Sequence, residues 1–229
     1  MQESALILMY HRIAEVDSDP WALSVSPKHF GEHLEVLKQT THPVSLQRLL
    51  RDMNSSNISH RSIVITFDDG YASCFERGMA VLEDVGCKAI QFLVSGRIGK
   101  TNDWDATGEP IVHKSQVRDW LANGHLIGSH TNTHPDLTKL PERDAREEIM
   151  ASRKRLEDTF GVAVNHFAYP LGACNERLVG IVRESGYATA VTTEFGVNDD
   201  GTNPYRLRRI LAYRSLRELL ASAIFSRSE

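Results

Sequence analysis

The sequence predicts an α/β barrel, with parallel strands inside and helices outside. Short apolar, β-branched runs alternate with stretches of helical periodicity, and no repeat or low-complexity linker interrupts them. That alternation builds parallel strands joined by helical crossovers, as an open doubly wound sheet or a closed barrel. A second observation separates the two. The polar residues suited to chemistry, His11, Asp68, Asp69, His130 and the segment at Tyr169, all fall at the C-terminal ends of the strands so read. In a β/α barrel that rim is where active sites are built. Strand ends far apart in an open sheet could not all converge, so their number favours the barrel.

Taken in order, residues 5 to 11 read as a strand ending in Tyr10-His11, followed by a polar loop. Ser26-Pro27 supplies an N-cap and a proline at the first helical position, and Phe30, Leu34 and Leu37 continue at helical spacing. An extended piece around Pro43-Val44 leads to a helix capped by Ser45, with Leu46, Leu49 and Leu50 on one face. The run Ser62-Ile63-Val64-Ile65-Thr66-Phe67 reads as a buried strand. A helix over about 73 to 85 stops at Gly86, and 88 to 94 is a strand. A long loop over 95 to 114 holds Trp104, and loops of that length are usually functional or mobile. Ser115 caps a helix to Asn123, a strand precedes His130, and Pro141 opens a long helix closed by Gly161. Strands are expected over 162 to 168, 187 to 192 and 207 to 212, with a helix from Asn175 to Ser185 and a last one capped by Ser215.

Two stretches carry the chemistry. Asp68-Asp69-Gly70 follows the 62–67 strand directly. Adjacent carboxylates repel and are costly to bury, so the pair needs a reason, and a bound cation is a good one. Asp-Asp-Gly is also good turn chemistry. Successive side chains leaving a strand point apart, so the two aspartates need not share one job. The second stretch is Ser129-His130-Thr131-Asn132-Thr133-His134. Two histidines four apart share one face if the backbone turns helically, within reach of one metal. With an aspartate they make a His-His-Asp set that leaves a position open for water or substrate, as catalytic zinc sites do. His29, His33, His42 and His60 read as solvated, and His113 and His166 as non-ligands near the rim.

Composition bounds the partners. The 229 residues carry a net charge of −4, with 41% hydrophobic and 24% charged residues. Such a chain is globular and offers no basic field to nucleic acid or an anionic membrane. The three cysteines, Cys74, Cys87 and Cys174, form no Cys-x-x-Cys and are expected as free thiols. No apolar run is long enough to span a membrane. The first strand begins without a basic n-region or cleavage site, so the chain as it stands is expected in the cytoplasm, or in the cell envelope or medium if it is a trimmed form.

Thr66-Phe67-Asp68-Asp69-Gly70, His130-Thr131-Asn132-Thr133-His134 and Phe167-Ala168-Tyr169-Pro170-Leu171-Gly172 together resemble three ordered motifs of the polysaccharide deacetylases. This is the NodB-homology family, carbohydrate esterase family 4, and the resemblance runs from Tyr10 to about Leu211. The opening Tyr10-His11-Arg12 is similar to bacterial poly-N-acetylglucosamine deacetylases. The resemblance implies one catalytic domain over 1–229, a deformed (β/α) barrel of about seven parallel strands, short of the eight of the regular fold. It implies a divalent metal, zinc first and cobalt or nickel as alternatives, and hydrolysis of N-acetyl or O-acetyl groups on a sugar or glycan. By position, Asp69, His130 and His134 are the ligands, Asp68 the general base, and the backbone N–H of Leu171 the oxyanion donor.

Two departures stand out. Ala168 occupies the place of an arginine that orients the catalytic aspartate, and Arg209 in Arg206-Leu207-Arg208-Arg209-Ile210 is the expected substitute. The family's late histidine acid has no counterpart, since no histidine follows His166. His11 is therefore expected as an acid or a substrate-positioning group. These gaps keep a non-catalytic glycan-binding barrel in view beside the two hydrolase readings.

Overall fold

The computed structural model describes residues 3–105 and 107–213, so the helix expected from Ser215 lies outside the described residues. The elements run β1 (Leu6–Tyr10), β2 (Arg12–Ile13), β3 (Ser24–Val25), α1 (Pro27–Thr40), β4 (His42–Pro43), α2 (Leu46–Asn54) and β5 (Ser62–Phe67). They continue with α3 (Met79–Val85), β6 (Ala89–Leu93), α4 (Lys114–Ala122), β7 (Leu126–Ser129), α5 (Glu142–Phe160), β8 (His166–Ala168), α6 (Glu176–Glu184), β9 (Thr189–Val191) and β10 (Ile210–Leu211). The main sheet runs β10-β1-β5-β6-β7-β8-β9, with β4 added on β5, and every pairing is parallel. Leu207 bridges Val191 in parallel just before β10 pairs with β1. The segment 207–211 therefore touches both ends of the path and curls the sheet into the expected deformed barrel of seven parallel strands.

Alternation along the strands sorts the core into two layers. Leu8, Ile63, Ile65, Phe67, Ile127, Phe167 and Ala190 pack with Phe30, Leu82, Trp120, Ile149 and Leu178 of the surrounding helices. Residues of the other parity, Ile7, Val64, Ile90, Phe92, Ala168 and Val191, pack with one another and with Leu46, Leu49 and Met53 of α2. Ile7, Val64 and Phe92 fill the interior, and α2 plugs it. Asp68 continues the inward parity of Val64 and Thr66, which sends its carboxylate into the barrel.

Several expectations shift. The loop after His11 contains the short parallel pair β2–β3. Cys74–Gly78 is one π-helical turn leading into α3. His113 rather than Ser115 occupies the N-cap of α4, where its N–H donates to the Gln116 side chain at 2.8 Å. His33 is buried, with its Nδ1 3.2 Å from the Tyr10 hydroxyl, because it shares the inner face of α1 with Phe30, Leu34 and Leu37. His29, His42, His60 and His113 are exposed, and His166 is buried against Thr189. The three cysteines are free. Among the described residues, no helix is long and apolar enough to cross a membrane.

Candidate active site

Four strand ends, those of β1, β5, β7 and β8, build the site. After β5 the chain turns sharply: Asp69 has φ +70° and Gly70 φ +82°, left-handed values that few residues other than glycine, asparagine and aspartate accept readily. The turn re-aims Asp69 relative to Asp68, so the two carboxylates face different partners. After β7 the chain is not helical. Thr131 and His134 both adopt left-handed φ, +67° and +66°, and those two bends rather than a helical turn bring the imidazoles together. His130 Nε2 and His134 Nε2 each lie 3.3 Å from the same Asp69 Oδ1. All three side chains are buried, with ligand atoms within 4.8 Å of one another, a geometry able to hold one ion.

The donor set itself fits a cation. His130 Nδ1 lies 2.8 Å from the Ala168 carbonyl, which can only accept, so that nitrogen carries the hydrogen. With that nitrogen taken, Nε2 faces the buried Asp69 carboxylate, either protonated and donating to it or, when neutral, as a second acceptor. Two acceptors facing each other out of water repel unless a positive charge sits between them. Proton affinities show the same demand. Burial pushes the Asp69 carboxyl up, yet hydrogen bonds from His130 and His134 hold it well below the usual carboxylate range. Burial pushes His130 down, yet its bond to Asp69 and the charges of both aspartates raise it.

Asp68 has a separate environment. Arg209 Nη1 donates to its Oδ1 at 2.7 Å and Nη2 to its Oδ2 at 2.6 Å, a two-pronged fork. The same guanidinium donates from Nε to the Thr192 carbonyl at 2.8 Å and from Nη1 to Thr66 Oγ1 at 3.1 Å. It is only 1% exposed. Burial drives the Asp68 carboxyl up, but the Arg209 charge and fork outweigh it and the net displacement is down. Of the two neighbouring arginines, Arg209 turns inward because alternation sends Arg208 the other way.

His11 and Leu171 line the same cleft, which encloses about 650 Å³ above Asp68, Asp69, His130 and His134. Burial lowers the His11 pKa against the pull of Asp69 and Asp68, and its Nδ1 has no hydrogen-bond partner. Leu171 sits at φ +60° with its side chain 66% exposed. Gly172 behind it, at φ +70°, lies so close to Thr193 that a Cβ would fall 1.9 Å from Oγ1, which fixes the Leu171 peptide against the cleft wall. Trp104 lays its ring on His134, with centroids 4.6 Å apart.

Some supporting residues have roles that the sequence does not show. Glu148 of α5 accepts from the N–H groups of Asn132 and Thr133, both at 2.9 Å, and from Thr133 Oγ1 at 2.7 Å. Ser152 donates to the Thr131 carbonyl at 2.9 Å. Together they clamp the loop that carries both histidines. Ser152 lies on the apolar stripe of α5 with Ala145, Ile149 and Leu156 and Glu148 does not stand out in it, but only tertiary packing gives either residue its partners.

The architecture is a deformed (β/α) barrel with an Asp-His-His cluster able to hold a cation at its rim, and comparison with known proteins gives the family. Residues 55–190 match the sequence family described as polysaccharide deacetylase. The chain belongs to that family, the NodB-homology group of carbohydrate esterase family 4. YxkH of Bacillus subtilis (strain 168), a protein assigned to the polysaccharide deacetylases, is 29% identical over 208 residues, covering 89% of this chain and 70% of YxkH. The poly-beta-1,6-N-acetyl-D-glucosamine N-deacetylase of Staphylococcus aureus (strain MRSA252) is 22% identical over 232 residues, covering 92% of this chain and 79% of that protein. Among solved structures, the Streptococcus pyogenes deacetylase PplD in complex with acetate superposes with a TM-score of 0.85 at 23% identity, over 97% of this chain and 99% of that one. IcaB from Ammonifex degensii gives a TM-score of 0.84 at 23% identity, over 99% and 98%. These two share the fold.

Proposed function

We infer that the protein is a metal-dependent hydrolase that removes acetyl groups, N-acetyl in the first place, from a sugar or polysaccharide. The observation that carries this reading is a buried Asp69–His130–His134 set beside a separately held, ionised Asp68 at the floor of an open cleft. Asp69, His130 and His134 would hold the divalent cation; two imidazoles and a carboxylate suit zinc, and also accept cobalt or nickel. When bound, such a cation acidifies a water and polarises an acyl oxygen.

The chain's own groups divide the remaining work. Asp68 accepts the proton of the attacking water, the task of a positioned general base. Arg209 keeps Asp68 ionised and aimed, acting through it rather than on substrate. The Leu171 N–H is the proposed donor to the oxyanion that develops on the acyl group. His11, beside Asp68 in the cleft wall, is the group available to orient the substrate or pass a proton to the leaving nitrogen.

The reading is tested by metal analysis together with acetate release from chito-oligosaccharides and from acetylated xylan. One equivalent of metal and acetate from the chito-oligosaccharides is the expected result. Release from xylan alone would make the protein an O-acetyl esterase. Metal-loaded protein that releases acetate from neither would leave a glycan-binding barrel.

A further inference from the structure

The cleft has an aromatic wall that hydrolysis of an acetyl group does not require. Trp21 lines it together with Asp68, Asp69 and His134, yet the side chain is 68% exposed. Its loop, residues 14–23, joins β2 to β3 without helix or strand. An exposed indole on an irregular loop would ordinarily be mobile, but this loop is tied down from beneath.

The tie is a buried ion pair. Arg12 Nη2 and Asp19 Oδ1 are 3.0 Å apart, and their side chains are 5% and 7% exposed. Asp19 also accepts from the Leu23 N–H at 3.1 Å and the Ser24 N–H at 2.7 Å, while the Ala22 N–H donates to the Asp19 carbonyl at 3.1 Å. Ala22 closes the turn at φ +54°, a strained value for alanine. The turn spans Trp21 and sets its direction. Arg12 reaches further: Nη1 lies 3.8 Å from Glu109 Oε1 and the guanidinium stands 5.7 Å from the centre of the Tyr71 ring. Tyr71 donates its hydroxyl to Asp105 at 3.3 Å, next to Trp104. One guanidinium thus braces the loops that carry both tryptophans of the cleft. A buried ion pair is a weak source of net stability, because desolvation offsets its attraction. What it supplies here is a fixed geometry for an exposed aromatic face.

A sugar unit matches such a face. The C–H groups on one side of a pyranose carry partial positive charge and stack on the negative face of an indole, as other positive edges do. Trp21 stands at the mouth of the cleft, not at its floor, so the ring it meets is a neighbour of the acetylated one. We propose that Trp21 is a substrate-stacking residue that binds a pyranose unit adjacent to the one being deacetylated, so that the protein selects an oligo- or polysaccharide over a single sugar. This rests on the deacetylase reading above for the unit at the floor.

The test compares a β-1,4-linked N-acetylglucosamine tetramer with the monomer, for wild type, Trp21→Ala and Trp21→Phe. Binding is measured by calorimetry, turnover by acetate release and folding by thermal melts. Wild type should bind the tetramer more tightly than the monomer. Trp21→Ala should weaken the tetramer about five- to tenfold, the range of one aromatic contact, with a much smaller change for the monomer. The loss should fall on KM more than on kcat, and Trp21→Phe should recover most of it. Equal affinity of wild type for tetramer and monomer would overturn the proposal. So would a Trp21→Ala variant that binds the tetramer as well as wild type does, or that loses tetramer and monomer in parallel. If wild type binds the tetramer through Trp21 but releases no acetate, the stacking role stands and the deacetylase reading falls.

Discussion

Replacing Arg209 with lysine separates aiming the base from holding the metal. The substitution keeps a positive charge and removes the fork. Arg209 makes four hydrogen bonds, two to Asp68 and one each to Thr66 and Thr192, none of them to a proposed ligand. An ammonium on a shorter stem cannot span all of these acceptors. A hydrogen bond to a charged group contributes about 1.5–3 kcal/mol, so losing one or two of the four should cost about 2–4 kcal/mol. For a chain of this length that is a fall in Tm of roughly 5–15 °C. Asp68 would keep a cationic neighbour but lose its fixed direction, and a misplacement of the order of 1 Å costs about a hundredfold in rate. The expected outcome is a folded protein with its full metal content and a kcat lower by about 10²-fold. The assays are metal analysis, a thermal melt and acetate release on one preparation. An unchanged kcat would remove Arg209 from the mechanism. Loss of metal in step with activity would show that Arg209 supports the ligand set instead.

Two further perturbations follow from the same geometry. Glu148→Ala should loosen the loop that carries His130 and His134 and weaken metal affinity about 10–100-fold, as loss of an outer-shell partner does; chelator competition measures it, and an affinity equal to wild type would contradict the clamp. His33, His125 and His166 have pKa values pushed down to about 4 by burial, so they stay neutral when folded and charge readily when unfolded. Between the unfolded pKa near 6.5 and the folded value near 4 the unfolded chain binds more protons, so stability should drain away as pH falls through that window. Thermal melts from pH 7 to pH 4 should show a progressive fall in Tm, and a flat profile would contradict the burial argument.

Much of this arrangement is legible in the sequence where local rules decide it. Ser62–Phe67 reads as a buried strand because it is short, β-branched and apolar, and its end carries Asp68 and Asp69 to the rim. Alternation lets only one of Arg208 and Arg209 point inward, and the resemblance to the family's late motif selects Arg209. His33, expected in solvent, is a misreading that the pattern itself corrects, since Phe30, His33, Leu34 and Leu37 fall on one helical stripe and a polar residue on that stripe is buried with it. Other features were not legible, for physical reasons. The convergence of His130 and His134 depends on two left-handed residues, Thr131 and His134, that no helical spacing rule anticipates. Glu148 and Ser152 matter only because α5 packs against the loop after β7. Arg12 looked like part of a strand-end motif, and its partnership with Asp19 emerges only when the following loop folds back on it.

The central claim is that two adjacent aspartates do different work, Asp69 holding metal and Asp68 moving a proton. The direct measurement is metal content and acetate release for Asp68→Asn and Asp69→Asn side by side. Asp68→Asn should retain its metal and lose about 10²–10⁴ in kcat, the usual cost of a missing base, because an amide cannot accept the proton. Asp69→Asn should lose metal first, and activity with it. An Asp68→Asn protein depleted of metal beside an Asp69→Asn protein that keeps it would contradict the assignment.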